Sequence, residues 1–151
     1  MKLIHHELKY GIPFHDNSVP NIYSSHFFEH LFRKDAHSLF AECFRVLKPN
    51  GKIRICVPSL DSEVTTIEHV VQEYHKGNSS EIQRYVTYQA EGYSPAFSNH
   101  RWMYNFKELR NMLSQVGFEA IKQFEPKSGE IPDVTELDTR DGLLVEATKL
   151  L

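Results

Sequence analysis

Apolar residues recur along this chain at two periods, and the switch between them outlines an alternation of helices and strands. After Arg33-Lys34, the residues Ala36, Leu39, Phe40, Cys43, Phe44 and Leu47 fall on one helical face; Asp35 is placed to cap the helix and Pro49-Asn50-Gly51 to stop it. Lys52-Ile53-Arg54-Ile55-Cys56-Val57 then alternates as a strand does. Helix, tight turn and strand together read as the return limb of a βαβ unit, with the strand pairing in parallel to an earlier one at Asn21–Ser25. A further short strand is expected at Leu3–Leu8, separated from Asn21–Ser25 by the turn-rich stretch Gly11 to Ser18.

Downstream, Val64, Ile67, Val70, Val71 and Tyr74 predict the buried side of a helix from Asp61 to about Lys76, which leaves through Gly77-Asn78. A third helix begins near Ser80 and fades before Gly92. Glu91 to Tyr104 holds Gly92, Pro95, Tyr93, Phe97, His100, Trp102 and Tyr104 without a period, the pattern of an ordered loop or lid. Asn105 to Val116 carries the strongest helix signals. Asn105 caps, Glu108 closes a capping box, Leu109, Met112, Leu113 and Val116 face inward, and Gly117 ends the helix in the left-handed conformation. Strands are expected at Phe118–Phe124 and Leu143–Lys149, joined by a polar loop with Pro126, Gly129 and Pro132. The whole chain, residues 1–151, reads as a single domain.

Charge and composition narrow the partners. A net charge of −3 with acids and bases interspersed gives no basic stripe, so no nucleic acid is expected. No apolar run approaches the roughly twenty residues that span a bilayer, and Met1 to Tyr10 lacks a signal-like stretch, so no membrane association and a cytoplasmic setting are expected. Cys43 and Cys56 lie in apolar contexts and read as reduced core thiols.

In order along the chain, Ile12-Pro13-Phe14-His15-Asp16-Asn17-Ser18-Val19, Ile22-Tyr23-Ser24-Ser25-His26, Phe28-Glu29-His30-Leu31 and Arg45-Val46-Leu47-Lys48-Pro49-Asn50-Gly51 are followed by Val57-Pro58 with Asp61 and by Leu109–Phe118 ending in Gly-Phe. This series resembles the C-terminal half of class I S-adenosylmethionine-dependent methyltransferases of the methyltransferase type 11 kind. The resemblance implies an α/β fold: a partial Rossmann-like methyltransferase fold, with a mixed sheet and helices on both faces, lacking the N-terminal glycine-rich βαβ unit. It implies S-adenosylmethionine as the cofactor, with Glu7, Ser25 and His26 on the residual rim of its pocket. It also makes 91–104 a lid or substrate-side loop.

The chain departs from the family in two ways. The seven glycines stand at 11, 51, 77, 92, 117, 129 and 142, and no two are separated by a single residue, so the turn that admits the cofactor in the family is missing. Pro20 stands where the family carries an acid before its fourth strand. Cofactor binding by this chain alone is therefore not expected. A partner chain or a homodimer through an exposed sheet edge would complete it, and a small-molecule or glycan-type acceptor fits the family.

His26, His30 and His100 are the candidate catalytic bases. Glu7 reads equally as a solvated carboxylate, and His26 as a capping or packed histidine. The aromatic cluster from Tyr93 to Tyr104 reads as a lid or as ordinary core. Two functional alternatives stand beside the split methyltransferase: a non-catalytic, degenerate dimerisation or binding module, and a self-sufficient enzyme that dispenses with the glycine turn. A remote one is a zinc hydrolase, because His26-Phe27-Phe28-Glu29-His30 fits the His-x-x-Glu-His helix motif. His5-His6 point to opposite faces of a strand and cannot easily share an ion, so no metal is expected.

Overall fold

The structure, a computed structural model, describes residues 3–61, 68, 71–72, 75–77 and 100–150. Its centre is the expected βαβ return limb. Strand β1 (Val19–Ser25) leads through a single 3-10 turn (Phe28–His30) into helix α1 (Arg33–Val46), and strand β2 (Leu47–Val57) returns parallel to β1. Register is set by the apolar alternation, with Ile22 beside Ile53 and Ser24 beside Ile55. Helix α2 (Phe106–Val116), strand β3 (Glu119–Phe124), the short helix α3 (Val134–Leu137) and strand β4 (Leu143–Thr148) follow. Strand β4 pairs antiparallel with both β2 and β3, so the mixed sheet runs β1-β2-β4-β3.

One face of the sheet holds the core. Ile53, Ile55 and Val57 of β2 and Leu143, Val145 and Ala147 of β4 meet Ala36, Leu39, Phe40 and Cys43 of α1 and Leu109, Met112 and Leu113 of α2. Each such large side chain stabilises the fold by about 1.5–3 kcal/mol through burial. The other face carries α3 and its flanking loop, tied down where Tyr23 Oη donates to the Leu137 carbonyl at 2.8 Å.

Local chemistry explains where the expectations hold. Asn105 Oδ1 accepts from the Glu108 N–H at 2.9 Å, and Gly117 adopts φ +115° at the other end of α2. The capping box is only half made, because the Glu108 carboxylate turns instead to Arg33 Nε at 2.7 Å. Leu3–Leu8 is not a strand. It runs as irregular backbone into a 3-10 turn at Leu8–Tyr10, with Leu3, Ile4 and Leu8 exposed, and pairs with no strand among the described residues. Helix α1 starts at Arg33, two residues before the expected cap, with Asp35 inside its first turn.

Pro49-Asn50-Gly51 ends no helix. It forms an irregularity within β2, where the pairing steps from Val19–Leu47 to Asn21–Lys52 and Asn50 takes φ +62°. A side chain at Gly51 would meet the Lys48 and Pro20 carbonyls at 2.8 Å, so only glycine fits there. The helix expected over Asp61–Lys76 lies mostly outside the described residues. Positions 68, 71, 72 and 75 are helical, and Val71, expected to be buried, is exposed. The helix near Ser80 and the loop to position 99 lie outside the described residues altogether. Among the described residues no helix is long and apolar enough to cross a membrane.

Candidate functional site

Strand β1 ends at Ser25, and the chain must turn sharply to start α1. His26 makes that turn with φ +50°, while its N–H still donates to the Cys56 carbonyl at 2.8 Å, so the imidazole is held at the carboxyl ends of both parallel strands. Its Nδ1 lies 3.4 Å from Ser25 Oγ and 3.8 Å from Cys56 Sγ. Phe28 then stacks on Phe40 at 4.2 Å between ring centroids and anchors the 3-10 turn in the core. That anchoring draws Glu29 inside with it.

Glu29 also joins this turn to the segment before α2. Its carbonyl accepts from the N–H groups of Arg101 at 2.6 Å and Trp102 at 3.2 Å. Tyr104, fully buried, bridges in parallel to Ser59, and its carbonyl accepts from the Leu60 N–H at 2.8 Å. These ties bring His100 beside His30, with ring centroids 5.0 Å apart and planes at 68°. Three histidines from two distant stretches, His26, His30 and His100, thus gather at one end of the sheet, around a carboxylate.

The electrostatics follow from burial. The Glu29 side chain has no exposed surface, and His30 Nε2 stands 3.7 Å from its Oε1. Neither carboxylate oxygen has a hydrogen-bond partner of normal geometry among the described residues. Burial pushes the Glu29 pKa up, against smaller opposing effects of its own backbone N–H, His30 and Arg140. Burial pushes the His26 and His100 pKa values down, helped by Arg140 and His30 at His26 and by the neighbouring histidines at His100. Both rings are therefore held toward the neutral, proton-accepting form.

The cysteines offer no nucleophile. Burial pushes the Cys43 thiol up to about 12 and also raises that of Cys56.

Other expected site residues fall elsewhere. Glu7 sits in the exposed N-terminal segment with its carboxylate 3.5 Å from Lys9 Nζ. Ser25 closes β1, with its Oγ 3.4 Å from His26 Nδ1. The His-x-x-Glu-His spacing lies on no α-helix: His26 is left-handed and the next turn is 3-10, so its two imidazoles are not stacked one helical turn apart as a zinc-hydrolase helix requires. Cys56 and Arg140, read as core and loop, turn out to flank His26. The signal for a buried Glu29 was its setting between Phe27-Phe28 and Leu31.

A groove of about 520 Å³ runs along the free edge of β1 and is lined by apolar side chains, among them Leu8, Ile12, Phe14, Val19 and Leu39. Among the described residues the glycines build no cofactor cradle. Side chains added at Gly11, Gly51, Gly129 and Gly142 would meet protein atoms at 2.2–2.8 Å, so these glycines make room for the chain's own contacts. The described residues by themselves do not form a complete S-adenosylmethionine site.

A four-stranded mixed sheet with its two parallel strands at one side and an antiparallel pair at the other is one flank of the methyltransferase-family fold. Comparison with known proteins agrees. Residues 2–55 match the family model described as a methyltransferase domain. A S-adenosylmethionine-dependent methyltransferase from Methanosarcina mazei superposes on 96% of this chain with a TM-score of 0.56 at 20% identity. A protein from the Haloferax volcanii complex of the Trm112 methyltransferase activator and a methyltransferase superposes on 95% with a TM-score of 0.54 at 19% identity. A S-adenosylmethionine-dependent methyltransferase from Thermotoga maritima covers 93% at 0.51 and 14% identity.

The chain spans 66%, 59% and 61% of those three proteins' lengths, respectively. No curated protein sequence matches it. In backbone over nearly its whole length, and in sequence over residues 2–55, this is a methyltransferase-family fold.

Proposed function

We propose that this chain is the acceptor-side half of an S-adenosylmethionine-dependent methyltransferase, and that the cofactor is held only once a second, glycine-rich half sits against β1. The observation that carries this reading is the sheet order. Strand β1 is the edge, and among the described residues no other strand pairs with its outer side. An open edge beside an apolar groove is a template for another strand and its covering helix. A glycine-rich half placed there, whichever chain carries it, would complete the pocket.

Two findings support the reading. Leu8 and Phe14 on the groove and Tyr10 beside it are large apolar residues left exposed, as residues awaiting a partner would be. The similar Haloferax volcanii protein comes from a complex with an activator protein, so partner binding has a precedent on this fold. His26, His30 and His100 would then face an acceptor at the carboxyl ends of the parallel strands, where α/β folds bind ligands, and one of them would take its proton. The acceptor we assign is a small metabolite or a glycan-type molecule in the cytoplasm.

The same open edge supports a second reading, a non-catalytic module that dimerises by pairing β1 with its copy. Calorimetric titration of S-adenosylmethionine into the purified chain, with light scattering on the same samples, tests both. The first reading expects no cofactor binding by a monomer. Stoichiometric binding by a monomer contradicts it, and a stable dimer without cofactor affinity favours the second.

A further inference from the structure

We propose that Glu29, His30 and His100 form a binding site for one divalent transition-metal ion of the zinc class. The inference is independent of how the cofactor is held, and it replaces the metal-free site expected from the sequence.

The case begins with Glu29. A carboxylate with no exposed surface and no hydrogen-bond partner of normal geometry is costly unless it is neutralised or coordinated. The imidazole beside it does not solve this, since 3.7 Å from Glu29 Oε1 to His30 Nε2 is too long for a hydrogen bond. It is close to the separation that an ion between the two atoms would impose. Ligand atoms held at about 2.1 Å around a tetrahedral ion stand about 3.4 Å apart.

His100 supplies the third ligand. One donor atom from each of Glu29, His30 and His100 lies within 4.8 Å of the others, so a modest inward movement closes the set. The scaffold is already built, because the Glu29 carbonyl receives the N–H groups of Arg101 and Trp102 and so joins the two ligand-bearing segments directly. Two borderline imidazole nitrogens beside one hard carboxylate oxygen suit zinc and its neighbours rather than calcium or magnesium, which take all-oxygen sets. Three protein ligands also leave a coordination position open. The site sits beyond the carboxyl ends of β1 and β2, the side on which this fold class binds small molecules.

The test uses the full chain with any affinity tag removed and the metal stripped by chelator. Zinc chloride is titrated by calorimetry, and cobalt chloride is followed by visible absorption. The proposal expects one equivalent of zinc and a cobalt band from nitrogen and oxygen ligands. Because loss of an outer-shell partner alone weakens metal affinity by about 10–100-fold, His100→Ala and Glu29→Gln should each weaken zinc by at least about tenfold. His37→Ala, which removes an exposed imidazole on α1, should leave the affinity unchanged. Circular dichroism confirms folding of each variant, and the wild-type cobalt spectrum stands whether or not Glu29→Gln folds. No stoichiometric zinc in the wild-type chain, or equal affinity in His100→Ala, overturns the proposal.

Discussion

Arg54 of β2 and Asp138, just past α3, meet as a buried two-pronged ion pair, with Nε 3.0 Å from Oδ1 and Nη2 2.5 Å from Oδ2. The third nitrogen of the fork donates to Glu146 Oε1 of β4 at 2.6 Å, and the guanidinium lies over the Phe124 ring. Burial alone would lower the Arg54 pKa, but its bonds to the two carboxylates outweigh that and raise it. Burial likewise pushes Asp138 up, yet Arg54 and the Lys127 N–H hold it below its ordinary value. This network covers the sheet face opposite the core.

Removing one member leaves buried charge uncompensated. Arg54→Leu is expected to destabilise the fold by about 3–5 kcal/mol, because it strands two carboxylates inside the protein. Urea denaturation followed by circular dichroism measures it. A loss below 1 kcal/mol would mean the network contributes far less than its geometry implies.

Arg45 clasps the segment that leads into β1. Its Nε and Nη2 bind the two oxygens of Glu42, its other contacts include the Ile12 and Phe14 carbonyls and Asp16, and Glu42 also accepts the Ile12 N–H. Arg45 first, and then the Ile12 N–H, hold the Glu42 pKa at about 2, below the usual value of about 4.3 for an unfolded chain. A depressed carboxylate contributes stability that is complete above its unfolded pKa and is lost as pH falls through the folded one. Thermal melts between about pH 5 and pH 2 should therefore show a steeper loss of Tm for the wild type than for Arg45→Ala. Identical slopes would contradict this.

Helix α2 tests the local signals most cleanly. Asn105→Ala should cost about 1 kcal/mol by removing the cap on the Glu108 N–H. Gly117→Ala should cost more than about 1 kcal/mol, since φ +115° strains any side chain and the new methyl would sit 3.2 Å from the Phe44 ring. Both are read from denaturation midpoints.

These residues also mark what the sequence reveals. Helix α2 was legible because its cap, apolar face and terminal glycine all lie within thirteen neighbouring positions, Asn105 to Gly117. The parallel β1–β2 pair was legible because Ile53, Ile55 and Val57 alternate on a short limb behind a strong helix. Leu3–Leu8 misled because apolar residues there suggest a strand, while pairing depends on a neighbour that no local pattern encodes. In the same alternation Arg54 falls on the face opposite Ile53 and Ile55. Its burial depends on Asp138 and Glu146, which lie 84 and 92 residues along the chain.

The site was half legible for a similar reason. His26 and His30 share one motif, and His100 drew notice in an aromatic stretch, but their meeting depends on Glu29 holding the Arg101 and Trp102 N–H groups. The ion network and the positions of Cys56 and Arg140 come from tertiary contact alone.

The central claim is that this chain presents an unfilled sheet edge and half a cofactor pocket. Amide hydrogen exchange on the isolated chain, with and without excess S-adenosylmethionine, tests it most directly. The account predicts rapid exchange at the β1 amides that do not face β2, strong protection across β2, and no change at Ser25–His30 when the cofactor is added. Full protection of β1 in a monomer, or slowed exchange at Ser25–His30 with cofactor, would contradict it.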